Sequence, residues 1–253
     1  MLRDSLVLLF LCICTLPASA ENDLQVSNIA ELNVAIASAQ PGDRIVMANG
    51  VWRDADILFD AQGEPERPIT LVAKTRGKVI LSGTSRLRIA GRWLIVDGLW
   101  FKDGALDRGS VIQFQKDRGN AAHHCRVTQT AITEYNPESK DVNYKWVSLY
   151  GTHNRVDHCY FRGQNHDGQT LVVWVGDGPN DHLIDHNYFA GRPPLGKNGG
   201  ETLRIGTSHV SMNMSRTVVE HNLFEQCNGE IEIVSNKTCG NIYRYNTFRA
   251  SEG

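Results

Sequence analysis

No two cysteines of this sequence stand in a C-x-x-C pair. That spacing is the usual signature of a zinc ribbon or a dithiol redox centre, so its absence argues against both. The six cysteines include only four beyond residue 20, namely Cys125, Cys159, Cys227 and Cys239. Four are too few to build a disulfide scaffold in a chain of 253 residues, and they read instead as small buried hydrophobes. An excess of positive charge is also missing. Lys and Arg total 26 against 28 Asp and Glu, for a formal charge of −2, so no global field favours nucleic acid. A local patch can still attract an anionic ligand. Beyond residue 20 no apolar run approaches the length of a membrane span. Helical periodicity is scarce too, and past residue 50 it is almost absent.

The first twenty residues read as a signal peptide. Arg3 supplies the charged start, residues 6–14 are an unbroken apolar run, Pro17 ends it, and Ala18-Ser19-Ala20 has the small-x-small pattern of a cleavage site. The expectation is a secreted or periplasmic protein whose mature part, residues 21–253, is one soluble folded domain. With 21% charged and 41% hydrophobic residues, the composition suits a globular chain.

The one clear helix is expected over residues 28–38. Asn28 can cap it, Glu31 stands in capping-box relation, and Ile29, Leu32, Ala35, Ile36 and Ala39 fall on one face. Pro41-Gly42-Asp43 ends it. Short β-rich runs separated by Gly, Asn and Asp follow, and they repeat. Leu94-Ile95-Val96-Asp97-Gly98-Leu99-Trp100-Phe101 matches segments ending at Phe161, Phe189, Phe224 and Phe248. From Phe161 onward the spacings are 28, 35 and 24 residues. A fixed motif at a variable spacing fits a solenoid with loops of different length, rather than a β-sandwich with chance similarities. Asn187, Asn222 and Asn246 recur at one point of the motif and are expected to stack at a bend, where Asn bonds backbone and tolerates left-handed torsions. The Phe residues would form an internal ladder, and the helix would cap the first open coil.

Glu230 and Glu232 flank Ile231 in Asn228-Gly229-Glu230-Ile231-Glu232-Ile233-Val234. On a strand both acids would share one face, with Ile231 and Ile233 toward the core. Side by side, like charges repel, and a hard cation such as Ca²⁺ resolves that repulsion through oxygen ligands. Taken alone, an E-x-E pair is more often a solvated polar face. Asn198, in Asn198-Gly199-Gly200-Glu201, lies about one coil earlier and can add an amide oxygen to the same ion; alone, Asn-Gly-Gly is simply a turn. Lys237 follows closely. A nearby cation would lower its pKa and let it accept a proton; by itself it reads as a surface lysine.

Asn198 through Gly206 and Asn228 through Lys237, together with Glu31-Leu32, Pro41-Gly42-Asp43 and Asn49-Gly50-Val51-Trp52, resemble polysaccharide lyase family 6, which holds alginate lyases and chondroitinase B. The resemblance covers nearly the whole mature chain. It implies an all-β fold, a right-handed parallel β-helix with an N-terminal capping helix. It implies Asn198, Glu230 and Glu232 as Ca²⁺ ligands, Lys237 as Brønsted base and Arg204 as a substrate-binding residue. The reaction implied is β-elimination on an anionic polysaccharide, alginate first and dermatan sulfate second. Neither nucleic acid nor a membrane is expected as a partner. The family's general acid is an arginine about one coil beyond the lysine. Arg249 comes too early for it, so the resemblance implies a chain incomplete at its C-terminal end. Two other readings remain open. One is a pectate lyase or uronate epimerase on the same solenoid, against which Lys237 speaks; the other is a β-helix that binds sugar without turnover.

Overall fold

The computed structural model describes residues 22–252; the expected signal peptide lies outside them. The helix runs Ile29–Ser38. The Glu31 amide donates to Asn28 Oδ1 at 3.0 Å, and the Glu31 carboxylate accepts from the Ser27 amide and hydroxyl, which anchors the first turn. Leu32, Ala35 and Ile36 are buried against the first coil, as a cap requires.

From Arg44 onward the chain winds through three sheets in rotation, interrupted once by a hairpin in the third. One full coil is Leu183–Asp185, Tyr188–Arg192 and Leu203–Ile205, and the next is Val218–Glu220, Leu223–Cys227 and Val234–Asn236. Each strand pairs in parallel with its counterpart one coil on. Among the described residues the three sheets hold nine, eight and nine strands, the last including a short hairpin, Gln115–Asp117 with Asn120–His123. This is a right-handed parallel β-helix.

The register explains the repeats. In the first sheet Ile45, Leu71, Val96, Val127, Val156, Ile184 and Val219 form one inward column, each essentially sealed from solvent. In the second sheet Phe161, Phe189, Phe224 and Phe248 stack at 5.2, 4.9 and 4.8 Å between ring centres. Such contacts add roughly 0.5–1.5 kcal/mol each beyond burial. One coil inside the span of the repeats lacks their sequence signature. Arg126–Thr128 and Ala131–Thr133 pair between the Phe101 and Phe161 coils, but Ile132 replaces the Phe and Thr130 occupies the Asn corner.

The Asn ladder forms at the bend between the first and second sheets. Asn246 Oδ1 accepts from the Asn222 amide, Asn222 Oδ1 from the Asn187 amide, and Asn187 Oδ1 from the Cys159 amide, at 2.9–3.0 Å. Their Nδ2 groups donate to the Val156, Ile184 and Val219 carbonyls. The left-handed torsion, however, belongs to the residue before each Asn. His186, His221 and Tyr245 have φ of 55°, 55° and 57°. That turn throws their rings outward, where His158, His186, His221 and Tyr245 stack, and points each Asn inward at the backbone. Cys125, Cys159 and Cys227 are buried and unpaired, and Cys239 is half-buried and unpaired, so no disulfide joins them.

Asn222→Ala leaves the Asn187 amide and the Ile184 carbonyl without their partners inside the wall. The expected loss is roughly 2–4 kcal/mol, at about 1–3 per stranded group. Urea unfolding followed by circular dichroism measures it, and an unchanged midpoint would show that the ladder is ornamental.

Candidate active site and metal centre

The Tyr188–Arg192 strand gives way to a loop that carries Asn198, Gly199, Gly200 and Glu201 back to Leu203–Ile205. One coil later the Leu223–Cys227 strand gives way to Asn228–Ile233 before Val234–Asn236. The parallel pairing of Leu203–Ile205 with Val234–Asn236 stacks these two loops directly. Gly200 and Gly229 face each other so closely that a Cβ on either would overlap the other's carbonyl oxygen. Only glycine fits there.

Glu230 and Glu232 are not on a strand. They occupy a bend that precedes Val234–Asn236. Ile231 is 87% exposed, whereas Ile233 is 8% exposed and part of the core. Strict alternation from Glu230 onward therefore fails. The bend is dictated by Glu230, whose carboxylate turns inward to accept from the Gly199 amide at 2.6 Å and the Gly200 amide at 2.8 Å. Ile231 is then carried outward over the cleft.

The two acids still converge, and a third joins them. Carboxylate oxygens of Glu201, Glu230 and Glu232 lie within 4.8 Å of one another. Glu201 is 2% exposed, accepts from Gln169 Nε2 at 2.7 Å, and stands 3.6 Å from an Arg204 nitrogen. Its role was not legible in the sequence, where it closes an Asn-Gly-Gly turn. Lys237 Nζ is 3.9 Å from Glu232. Asn198, Glu230, Glu232 and Lys237 line one open cleft of about 640 Å³. Arg204 sits just behind it, its guanidinium 5.7 Å from the Trp174 ring centre. The structure thus gathers Asn198, Glu230, Glu232, Lys237 and Arg204 around a single site.

Lys145 is a further cation there that the sequence did not single out. Burial, and then the neighbouring Arg204, hold its ammonium below the ordinary lysine range. Three carboxylates at this separation repel strongly unless a cation or a proton intervenes. The donor set is all oxygen, which fits a hard divalent ion of the calcium type. Glu230 and Glu232 each keep an oxygen free of protein hydrogen bonds, and Asn198 beside them adds a neutral oxygen donor.

The family model described as Chondroitinase B matches residues 26–253. The chain belongs to the chondroitinase B family, polysaccharide lyase family 6. Among solved structures it is similar to the PL6 alginate lyase AlyGC, at 49% identity and a TM-score of 0.88 over 89% of this chain. It is also similar to a mannuronic-acid-specific family 6 lyase from human gut microbiota, at 37% identity and a TM-score of 0.86 over 91% of this chain. The PL6 lyase Pedsa3628 of Pseudopedobacter saltans shares 38% identity, with a TM-score of 0.82 over 91%. This chain spans 32% of AlyGC and 55% and 53% of the other two. No curated protein matches it.

The bend makes an unequal pair of its two isoleucines. Ile231→Ala is expected to change stability by less than about 0.5 kcal/mol, and Ile233→Ala to cost roughly 2–5 kcal/mol. Equal losses in urea unfolding would restore the strand reading.

Proposed function

We propose that this chain carries metal-binding and proton-abstracting groups of a polysaccharide lyase that cleaves a uronic-acid polymer by β-elimination, with alginate as the first substrate to test. The observation that carries the reading is the cluster of Glu201, Glu230 and Glu232 within 4.8 Å, with Glu230, Glu232 and Lys237 lining an open cleft and Glu201 buried behind them. Alginate comes first because AlyGC, the relative at 49% identity, is an alginate lyase.

In this reading Glu230, Glu232 and Asn198, with Glu201 behind them, would hold Ca²⁺. Bound there, it would place positive charge against the substrate carboxylate and acidify the proton on the adjacent carbon. Lys237 Nζ takes the C5 proton. The freed electron pair forms the C4–C5 double bond, and the bond to O4 breaks. Arg204 offers its guanidinium to a substrate carboxylate, and the Trp174 face beneath it limits where that guanidinium can swing. Protonation of the leaving O4 falls, by family resemblance, to an arginine about one coil past Lys237. Export, directed by residues 1–20, would bring the enzyme to a polymer that does not enter the cytoplasm.

The test incubates the protein with alginate, polymannuronate, polyguluronate, dermatan sulfate and pectate, each with Ca²⁺ and with chelator. Ultraviolet absorbance reports the new double bond. A Ca²⁺-dependent rise with an alginate polymer is expected. A rise with dermatan sulfate alone moves the substrate, and silence with all five sinks the lyase reading. Lys237→Ala should lower turnover by about 10²–10⁴-fold, the usual contribution of a general base, while leaving Ca²⁺ binding in place. Full activity in that variant would remove Lys237 from the base role.

A further inference from the structure

Arg192 ends the Tyr188–Arg192 strand and is 2% exposed, yet among the described residues it forms no ion pair. A buried cation without a partner acid is costly. Its guanidinium is instead spent on loop backbone. Nε donates to the Gly200 carbonyl at 2.6 Å, and one terminal nitrogen donates to the Gly168 carbonyl at 2.7 Å and the His166 carbonyl at 3.3 Å. The other reaches Thr170 Oγ1 at 3.3 Å. The backbone carbonyl of Arg192 accepts from the Asn228 amide at 2.8 Å. One residue therefore touches the corresponding loops of three successive coils.

Those loops are the ones that shape the carboxylate cluster. The Gly199 carbonyl accepts from the Gly168 amide at 3.1 Å, and the Gly199 and Gly200 amides both donate to Glu230. The Gly199 carbonyl is tied to Gly168, so the Gly200 amide of the same planar peptide points the opposite way, toward Glu230, and Arg192 fixes the next peptide through the Gly200 carbonyl. The strand's own hydrogen bonds do not need this side chain, since Tyr188–Arg192 is already paired with Tyr160–Arg162 and Leu223–Cys227. Burial pushes the Arg192 pKa down to about 10, so the guanidinium keeps its charge at neutral pH, with Glu201, Asp167 and Glu230 among the charges acting on it.

We propose that Arg192 is a positioning residue for the metal centre: its buried guanidinium ties the 166–170 and 199–201 segments into one cradle, holds the Gly199 and Gly200 amides on Glu230, and sets a fixed positive charge behind the three acids before any cation arrives. The inference rests on the metal reading given above. Lysine cannot replace it, because one compact ammonium does not span the carbonyls that the planar fork reaches together.

The test titrates the whole chain with Ca²⁺ by calorimetry and with Tb³⁺ by luminescence, in the native protein, Arg192→Lys and Glu230→Gln. It also melts each in chelator and in saturating Ca²⁺. Arg192→Lys is expected to bind both ions roughly 10–100-fold more weakly, the usual consequence of losing a residue that orients metal ligands, and to lose most of the Ca²⁺-induced rise in melting temperature. A merely structural arginine would lower both melting temperatures equally and leave the affinity alone. Native affinity in Arg192→Lys overturns the proposal and leaves the metal reading standing. No Ca²⁺ or Tb³⁺ binding by the native chain overturns both. Should Arg192→Lys fail to fold, hydrogen exchange on the native chain decides. The Gly199 and Gly200 amides must exchange slowly in chelator, and exchange there at the rate of an open loop would mean that the cation, not Arg192, assembles the cradle.

Discussion

Each coil of this protein can satisfy its backbone only by lying in register on the next. The strands are short, often three residues, and none could persist alone. Hydrogen bonds run along the axis of the stack, so every rung fixes the rotation and height of its neighbour. Side chains at equivalent positions then form columns: aliphatic in the first sheet, aromatic in the second, and amide at the bend between them. A slip of one residue would turn a whole column outward. The cleft inherits this constraint. Glu201 and Glu230 belong to successive coils, 29 positions apart, and they meet because Leu203–Ile205 and Val234–Asn236 cannot pair in any other register.

The site opposes that order locally. Three carboxylates crowd together at one edge of the stack, and each neighbour that stabilises them comes from a different place. Backbone amides of the preceding coil hold Glu230, Gln169 holds Glu201 from two coils before Glu230, and Lys237 from the same coil faces Glu232. The acids are thereby graded in freedom. Glu201 is sealed, Glu230 is half-buried with one oxygen committed, and Glu232 is exposed. A ligand set graded in this way can keep its geometry on the inner side and adapt on the outer side, where a polymer would approach.

Much of this was legible in the sequence for a physical reason. A solenoid converts spatial register into sequence spacing, so Phe161, Phe189, Phe224 and Phe248, with Asn187, Asn222 and Asn246, announce both the repeat and its corner. The coil of Ile132 escaped because a buried Ile holds the place in register with Phe101 and Phe161, and Thr130 fills the corner without the Asn signature. Arg192 escaped because a buried arginine that binds carbonyls leaves no acidic partner in the sequence to mark it. Glu201 was hidden by the glycines beside it, whose turn character is real but incidental to the acid that follows.

The E-x-E pair shows where pattern reading stops. Alternation places side chains correctly only while the backbone is extended, and extension lasts only while the ladder is unbroken. Glu230 breaks it, since two amides of the preceding loop compete for its carboxylate and win against the β conformation. The same event turns Ile231 outward to 87% exposure, brings Glu232 beside Lys237, and opens the cleft. Had the segment stayed a strand, its acids would have lain flat on the sheet face, with no concavity for a sugar. The departure from regular structure is therefore what makes these residues a site, and it depends on glycine at Gly200 and Gly229, where the two loops come too close for any side chain.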